Sequence, residues 1–337
     1  MKGSDFMKKA KKQVTALACM VLLCVSLLCP AASAATLVVI DLADMLDAIS
    51  PSVVEVFTET KQVSSWFQEY VTEGAGSGVI LTEDGYIVTN HHVIDGASTI
   101  KVRLSNGQTY PAVLTGTDEK TDLAVLKISA LGLTAAKLAD SSAVRVGDFV
   151  IAIGNPLGEL GGTVTNGIIS AKDREITIDG KSMTLLQTSA AVNPGNSGGG
   201  LFNLDGELVG VVNAKSSGEN IEGLAFAIPA NTVKEITQEL MQYGYVTGRP
   251  QLGISVSQIT RPGMVSTPGL YITQSSAENG LKAGDRILQI DGTAVRKTSD
   301  ISAVLDRHSV GDIVQVVVSR SGNEITVSVK LTEQKPS

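Results

Sequence analysis

Cysteine, histidine and aromatic residues are scarce in this chain, and the placement of the few cysteines excludes several kinds of site. The 337 residues include three Cys, three His and one Trp. All three cysteines (Cys19, Cys24 and Cys29) lie near the N-terminus. The chain after residue 34 therefore has no thiol nucleophile, no cysteine ligand for a metal and no disulfide. Domains of the size expected here have enough core to fold without one.

Positive charge is also in short supply. Lys and Arg number 27 against 34 Asp and Glu, which gives a formal net charge of −7. A chain with this balance lacks the basic surface that attracts nucleic acids and anionic membranes, so we expect no nucleic-acid partner. The remaining composition, 43% hydrophobic with 34 Gly, is typical of a folded, turn-rich protein of two or three domains.

The longest apolar run extends from Val14 to Leu28. Lys8, Lys9, Lys11 and Lys12 come just before it, and the small-x-small sequence Ala32-Ser33-Ala34 follows. This order predicts a secretory signal peptide at residues 1–34, and hence an exported protein in the periplasm, at the cell envelope or outside the cell. The run is shorter than the roughly 20 residues of a membrane span. An uncleaved anchor is the alternative, and only then would the protein be attached to a membrane.

The rest of the chain is mainly β in its patterning. Between residues 52 and 229, short apolar runs such as "YIVTN" and "TIKVRL" alternate with turns such as "EDG" and "SNG". About 180 residues of this texture is too much for one small barrel and enough for two. A helix is predicted after Asn231, which can cap it, and Gly244 can end it. A second, mostly β module of about 85 residues follows the helix.

The stretch "NPGNSGGGL" (193–201) places Ser197 among glycines. Glycine lets substrate approach a nucleophile closely and lets the backbone adopt unusual dihedral angles. The backbone N–H groups of such a loop can converge on one point, as an oxyanion hole requires. Taken alone, the stretch is also compatible with an ordinary Gly-rich turn.

A nucleophilic serine needs a base and a carboxylate that orients the base. "TNHHVI" (89–94) supplies two adjacent histidines at a strand end, and "TDLAVLKI" (121–128) supplies Asp122. The order His, Asp, Ser is that of the two-barrel chymotrypsin-type proteases. Spacing alone does not decide between His91 and His92. No acidic cluster joins the two histidines, which disfavours a metal site, and we expect neither a metal nor a cofactor.

Nearly the whole chain after residue 40 resembles the HtrA/Deg family of serine proteases. The matching stretches are "GSGVI" (76–80), "TNHHVI" (89–94), "TDLAVLKI" (121–128), "AIGNP" (152–156), "VTNGIISA" (164–171), "LLQTSAAVNPGNSGGGLFNLDGELVGV" (185–211), "FAIP" (226–229), "QLGI" (251–254) and "GLKAGDRILQIDG" (280–292). The resemblance implies a mainly β fold, with a chymotrypsin-like double β-barrel protease domain followed by a PDZ domain. The implied boundaries are 41–243 for the protease, 244–250 for a linker and 251–332 for the PDZ domain.

The resemblance also implies the roles of individual residues. In the family pattern T-N-x-H-V the catalytic histidine directly precedes the valine, which here is His92. Asp122 matches the orienting carboxylate and Ser197 the nucleophile. The backbone N–H groups of Gly195, Asn196 and Ser197 are implied to form the oxyanion hole.

The C-terminal module is similar to a single PDZ domain, which binds a peptide as an added strand and holds its terminal carboxylate with backbone N–H groups. The residues implied in that carboxylate-binding loop are Gln251, Leu252, Gly253 and Ile254. A helix from Ser299 is expected to wall the groove with Ile301, Val304 and Leu305, although some of these can be core residues only.

The function implied is that of an exported, ATP-independent endopeptidase that degrades unfolded or damaged proteins under the control of its PDZ domain. Its expected partners are unfolded proteins or peptides, peptide C-termini at the PDZ domain, and copies of itself in a trimer or a multiple of trimers. The alternative is a chaperone-like or regulatory peptide-binding protein whose protease domain is latent.

One residue departs from the family pattern. Ser189 stands where the family often has Asp, just upstream of the Ser197 loop, so the substrate pocket or activation can differ. The segment "SAAVNPG" (189–195) has no acidic residue, which predicts cleavage after small or medium apolar residues.

The aromatic residues Phe57, Trp66, Phe67 and Tyr70 cluster in sequence, either as ordinary packing or as an exposed contact surface.

Overall fold

The computed structural model describes residues 41–63, 69–154, 162–178, 181–193, 195–214, 224–260, 267–276 and 279–335. The predicted signal peptide, together with Trp66 and Phe67 of the aromatic cluster, lies outside these residues. Among the helices in the described ranges, none is both long enough and apolar enough to cross a bilayer.

Six antiparallel strands form the first closed barrel, in the order β1-β2-β3-β6-β5-β4. It follows a short amphipathic helix, α1 (Leu42–Ile49), whose first turn is capped by the side chain of Asp41. A helical turn, α2 (His91–Ile94), leaves the end of β3. The strands are β1 (Val53–Val63), β2 (Glu69–Ile80), β3 (Tyr86–Asn90), β4 (Thr99–Arg103), β5 (Thr109–Asp118) and β6 (Leu123–Ile128).

The second closed barrel has the order β10-β11-β12-β9-β8-β7. Its strands are β7 (Phe149–Gly154), β8 (Thr163–Ile178), β9 (Lys181–Thr188), β10 (Gly200–Phe202), β11 (Leu208–Asn213) and β12 (Ala225–Pro229). The two barrels confirm the double-barrel fold expected from the sequence.

Apolar residues pack both inside the barrels and between them. Because successive side chains of a strand point to opposite faces, Ile87 of β3 joins the core of the first barrel while Val88 joins a larger core shared by both barrels. Both residues are fully buried. Ile151 and Phe202 enter the shared core from the second barrel. One continuous apolar core therefore joins the two barrels.

Helix α3 (Ala230–Tyr243) packs Val233 and Leu240 into that shared core and ends at Gly244, which adopts a left-handed conformation. The predicted end at Gly244 is confirmed, but the predicted cap is wrong. The helix begins directly after Pro229, and Asn231 lies inside its first turn. The Asn231 side chain instead donates to Asp140 at 2.8 Å.

The C-terminal module is a separate sheet with its own core, in the order β14-β15-β16-β18-β19, with β17 paired to β16. A two-stranded sheet joins β13 to β20. The elements are β13 (Pro250–Gln251), β14 (Ile254–Ile259), β15 (Gly269–Ser275), β16 (Arg286–Ile290), β17 (Thr293–Ala294), α4 (Thr298–Leu305), β18 (Ile313–Arg320), β19 (Asn323–Lys330) and β20 (Thr332–Glu333). The predicted groove-wall residues Ile301, Val304 and Leu305 are all buried in this core.

Candidate active site

The two adjacent histidines have different environments. The His92 ring lies 2.6 Å from Asp122 Oδ2 through Nδ1 and 2.9 Å from Ser197 Oγ through Nε2. The His91 ring contacts Thr117 Oγ1 at 2.9 Å instead. Both residues belong to α2, where successive side chains are about 100° apart around the axis. The helical turn after β3 thus brings His92, and not His91, between the carboxylate and the serine.

Asp122 lies in the turn between β5 and β6, where both its carbonyl oxygen and its carboxylate accept hydrogen bonds. Its φ of 56° is a left-handed conformation that costs a non-Gly residue about 1–2 kcal/mol. Its carbonyl oxygen accepts from the His91 N–H at 3.1 Å and from the Asn90 side chain at 3.0 Å. Its carboxylate accepts from the His92 N–H at 2.9 Å. These bonds offset the strain and fix the direction of the carboxylate.

A further residue contacts the carboxylate from the second barrel. Asn213, the last residue of β11, is buried and donates from Nδ2 to Asp122 Oδ2 at 2.9 Å. Sequence reasoning missed this residue, and its only signal was an Asn at the end of the apolar run "LVGVVN". The bond ties the carboxylate on one barrel to the barrel that carries Ser197.

The Ser197 loop is docked on the first barrel through backbone contacts. The Ser197 carbonyl accepts from the Ser77 N–H at 2.8 Å, and the Ser77 hydroxyl donates to the Gly195 carbonyl at 2.8 Å. Gly198 has a φ of +82°, and a Cβ there would lie 2.2 Å from the Ser77 carbonyl oxygen. Only glycine fits this approach, which explains the glycine after the serine.

The predicted oxyanion-hole donors are not equivalent. The Asn196 N–H donates to the Asn193 carbonyl at 3.0 Å, so this amide is already paired within the loop. Gly195 has a φ of +100°, a conformation that a side chain would strain.

Asp118, close in sequence to Asp122, has no contact with either histidine ring among the described residues. It ends β5 and is buried, with an exposed fraction of 6%. The Arg249 guanidinium binds both of its oxygens, with a distance of 2.8 Å from Nη2 to Oδ2. Burial by itself raises the pKa of the Asp118 carboxyl, but hydrogen bonds and charge from Arg249, with hydrogen bonds from Thr121, hold the pKa below its usual range.

Ser189 lies next to β9, upstream of the Ser197 loop. Its hydroxyl accepts from the Ile168 N–H at 3.1 Å, and its side chain is exposed. Ala190 beside it is buried in the core of the second barrel.

The predicted carboxylate-binding loop runs from Gln251, the last residue of β13, to Ile254, the first residue of β14. Gly253 has a φ of +67°. The buried Asn279 donates to the Leu252 carbonyl at 2.9 Å and to the Gly253 carbonyl at 3.3 Å. The Ser276 N–H also donates to the Gly253 carbonyl, at 2.9 Å. The loop is therefore held in one conformation from its inner side.

Comparison with known families matches two of them to this chain. The trypsin-like peptidase domain matches residues 76–211, and the PDZ domain matches residues 250–331. The first match includes all three members of the His92–Asp122–Ser197 contact, and the second includes the C-terminal sheet.

Several curated proteins are similar over most of this chain. The serine protease Do-like HtrA of Lactobacillus helveticus is 43% identical over 77% of this chain and 69% of its own length. The protein of the same name from Bacillus subtilis is 39% identical over 87% of this chain and 73% of its own length. The periplasmic serine endoprotease DegP of Salmonella typhimurium is 42% identical over 78% of this chain and 58% of its own length.

Solved structures give the same result. The HtrA-type protease AlgW with a decapeptide is 33% identical, with a TM-score of 0.59 over 88% of this chain and 99% of that one. The serine endoprotease from Yersinia pestis is 34% identical, with a TM-score of 0.58 over 87% of this chain and 98% of that one. The chain belongs to the HtrA family of serine endopeptidases.

Proposed function

We propose that this protein cleaves peptide bonds by acyl transfer through Ser197, His92 and Asp122. The observation that carries the proposal is the continuous set of contacts from Asp122 Oδ2 through the His92 ring to Ser197 Oγ, at 2.6 and 2.9 Å. Ser197 Oγ attacks the scissile carbonyl while His92 Nε2 takes its proton. His92 then gives that proton to the leaving amine, and a water repeats the two steps to release the acyl group.

The carboxylate has a supporting role in this cycle. Asp122 accepts a hydrogen bond from His92 Nδ1–H, which leaves Nε2 free to act as the base, and it stabilises the imidazolium that forms. The oxyanion of the tetrahedral intermediate needs N–H donors next to Ser197. Because the Asn196 N–H is paired with Asn193, we assign this role to the N–H groups of Gly195 and Ser197.

Small or medium apolar residues are the proposed preference before the cleaved bond. The segment from Ser189 to Gly195 carries no charge to pair with a basic side chain. A peptide library tests this directly. Predominant cleavage after Arg or Lys would contradict the assignment.

Unfolded or damaged proteins are the proposed substrates, and degradation of a casein-like unfolded protein is the test. The chain without residues 1–34 is expected to degrade it without ATP, while its Ser197→Ala variant binds but does not cleave. Equal degradation by both proteins would overturn the role of Ser197. Absence of cleavage under every stress condition would overturn the proposed substrate class.

The C-terminal domain is proposed to bind peptide C-termini. Strand β14 pairs only with β15 within the described part of the sheet, so its other edge can accept an added strand. In a trans peptide the N–H points away from the C=O. Since Asn279 and Ser276 hold the carbonyls of Leu252 and Gly253, the N–H groups that follow point away from them, towards the position of a terminal carboxylate.

Peptide binding tests this assignment. Asn279→Ala is expected to weaken binding of a free C-terminal peptide about ten-fold, because the loop loses its inner support. The same peptide with an amidated C-terminus is the control. Equal affinity for the free and the amidated peptide would contradict a carboxylate site.

Export and assembly into trimers or multiples of trimers complete the proposal. The pattern of residues 1–34 supports export, as does the periplasmic location in the name of DegP. Phe149 and Ile168, partners on β7 and β8, expose 38% and 42% of their surface on the second barrel and offer an apolar contact. Light scattering after size exclusion is expected to give a trimer or a multiple, and Phe149→Asp to shift it towards monomer.

A further inference from the structure

The linker between the two domains is fixed to both of them. Gly244, where it begins, packs directly on Gly116 of β5, whose added Cβ would lie 2.5 Å from the Gly244 carbonyl oxygen. Near its end, the Arg249 carbonyl accepts from the Gln334 N–H of the C-terminal module at 2.8 Å, and the Gly248 N–H donates to Glu333 at 2.9 Å. Arg249 is thus held by the C-terminal module through its backbone and reaches the protease with its side chain.

The side chain of Arg249 ends on the turn that carries the proposed orienting carboxylate. Asp118, its partner, also accepts from the Lys120 N–H at 3.3 Å and from the Thr121 N–H at 3.1 Å. The Thr121 hydroxyl bonds to it as well. One buried carboxylate therefore shapes the whole turn from Asp118 to Asp122, and a guanidinium from outside the barrel compensates its charge.

A second ion pair links the same turn to the C-terminal domain. Lys120 binds Asp306, which directly follows helix α4. Both side chains are more than 40% exposed, and such pairs contribute little to stability. The Asp118–Arg249 pair has exposed fractions of 6% and 20%, so losing Arg249 would leave a buried carboxylate without its cation, which costs far more than losing the exposed pair.

We propose that Asp118 and Arg249 are positioning residues for catalysis. Arg249 neutralises Asp118, Asp118 shapes the turn, and the turn sets the left-handed backbone and the carboxylate direction of Asp122. Through this turn, Arg249 contributes to the orientation of His92. This inference rests on the proposed role of Asp122.

The expected effect of losing the pair is a loss of turnover rather than of binding. Displacing a catalytic group by about 1 Å can cost about 100-fold in rate. Neither residue contacts the Ser197 loop among the described contacts, so the substrate subsites stay intact. We therefore expect Arg249→Met to lower kcat by about 10–100-fold, while its KM stays within about two-fold of the wild-type KM.

The experiment measures kcat and KM on a short chromogenic peptide, with the full chain after residue 34. A matched control lies in the C-terminal domain, where Arg320 binds both oxygens of the buried Asp285 at 2.7 Å. Arg320→Met removes a pair of the same kind and is expected to leave kcat within about two-fold, because it does not touch the turn. Arg249→Lys keeps the charge and is expected to recover part of the lost kcat.

A spectroscopic measurement separates positioning from general loss of stability. The proton between His92 Nδ1 and Asp122 lies in a short hydrogen bond of 2.6 Å, and such a proton resonates far downfield in the NMR spectrum. We expect its resonance to move upfield in Arg249→Met and to stay in Arg320→Met. An unchanged resonance together with an unchanged kcat in folded Arg249→Met would overturn the proposal.

Two further variants keep the outcomes distinct. The double variant Asp118→Asn/Arg249→Met leaves no buried charge without a partner and provides a folded protein if Arg249→Met alone unfolds. A wild-type kcat in this double variant would also overturn the proposal. Asp122→Asn tests the proposed function itself: if it retains full turnover, the role of Asp122 fails. If it abolishes turnover while Arg249→Met does not change kcat, only the positioning inference fails.

Discussion

Replacing each of the adjacent histidines by alanine gives the sharpest test of the site. Alanine keeps the backbone, so the N–H groups of His91 and His92 still bond to Asp122 in both variants. Each substitution therefore removes one ring and nothing else of the turn. The rings have different partners, and the two variants should differ accordingly.

The magnitudes follow from those partners. The His92 ring is the only group between Ser197 Oγ and Asp122 Oδ2 among the described residues. Removing the base of such a triad lowers kcat by about 10⁶, or about 8 kcal/mol of transition-state stabilisation. The His91 ring has one hydrogen bond, to Thr117, whose hydroxyl keeps a second partner in the Leu123 carbonyl at 3.2 Å. Its loss should cost about 1 kcal/mol of stability and lower Tm by about 2–4 °C.

The assay combines turnover of a chromogenic peptide with thermal unfolding of both variants. His92→Ala is expected to lose turnover and labelling by a serine-directed fluorophosphonate while the protein still unfolds cooperatively. His91→Ala is expected to keep most of its turnover. Loss of turnover in a folded His91→Ala variant, with activity kept in His92→Ala, would move the base by one residue and refute the assignment.

Three further results are expected from the same structure. Gly198→Ala should abolish fluorophosphonate labelling and destabilise the fold by about 3 kcal/mol. The added Cβ would lie 2.2 Å from the Ser77 carbonyl oxygen, on a backbone in the left-handed conformation. Normal labelling of this variant would contradict that contact. Asn213→Ala should lower kcat about ten-fold with KM unchanged, the effect of losing a hydrogen bond of about 1.5 kcal/mol to the Asp122 carboxylate. A kcat within two-fold would show that the bond does not orient it. Asp118 has a folded pKa below the ordinary 3.8, so its stabilisation is complete above that pH and is lost as pH falls through the folded value. Urea unfolding should show Asp118→Asn less stable at pH 7, with the difference shrinking below about pH 4; a difference independent of pH would argue against the ion pair.

The sequence predicted the fold because its signals are local. Alternating apolar strands and glycine-containing turns predicted two barrels. Both faces of strands such as β3 are buried, which explains why these runs are so apolar. Prediction failed where a residue's partner is distant. Asn231 has the residue type of a helix cap, but its amide binds Asp140, 91 positions away, and the helix begins one residue before it.

The same limit applies to the site. Asp118 and Asp122 are both acidic residues near one strand, and Asp122 was predicted because it borders the apolar run "LAVLKI" and matches the family pattern. Their partners Arg249 and Asn213 are 131 and 91 positions away. Contacts at such separations depend on how the barrels and the linker pack, which local patterns do not encode.

By itself, the sequence determined the class of fold, the order His–Asp–Ser and the need for glycine beside the serine, since strand periodicity, chain order and backbone freedom are properties of neighbouring residues. Which histidine ring meets the serine could not be derived from spacing: the family pattern implied His92, and the tertiary structure supplies the physical reason. That choice depends on the helical turn after Asn90, which rotates His91 towards Thr117 and His92 into the cleft. It also brought Asn213 and Arg249 to the carboxylates beside that cleft, because only packing of separate elements joins residues so far apart in the chain.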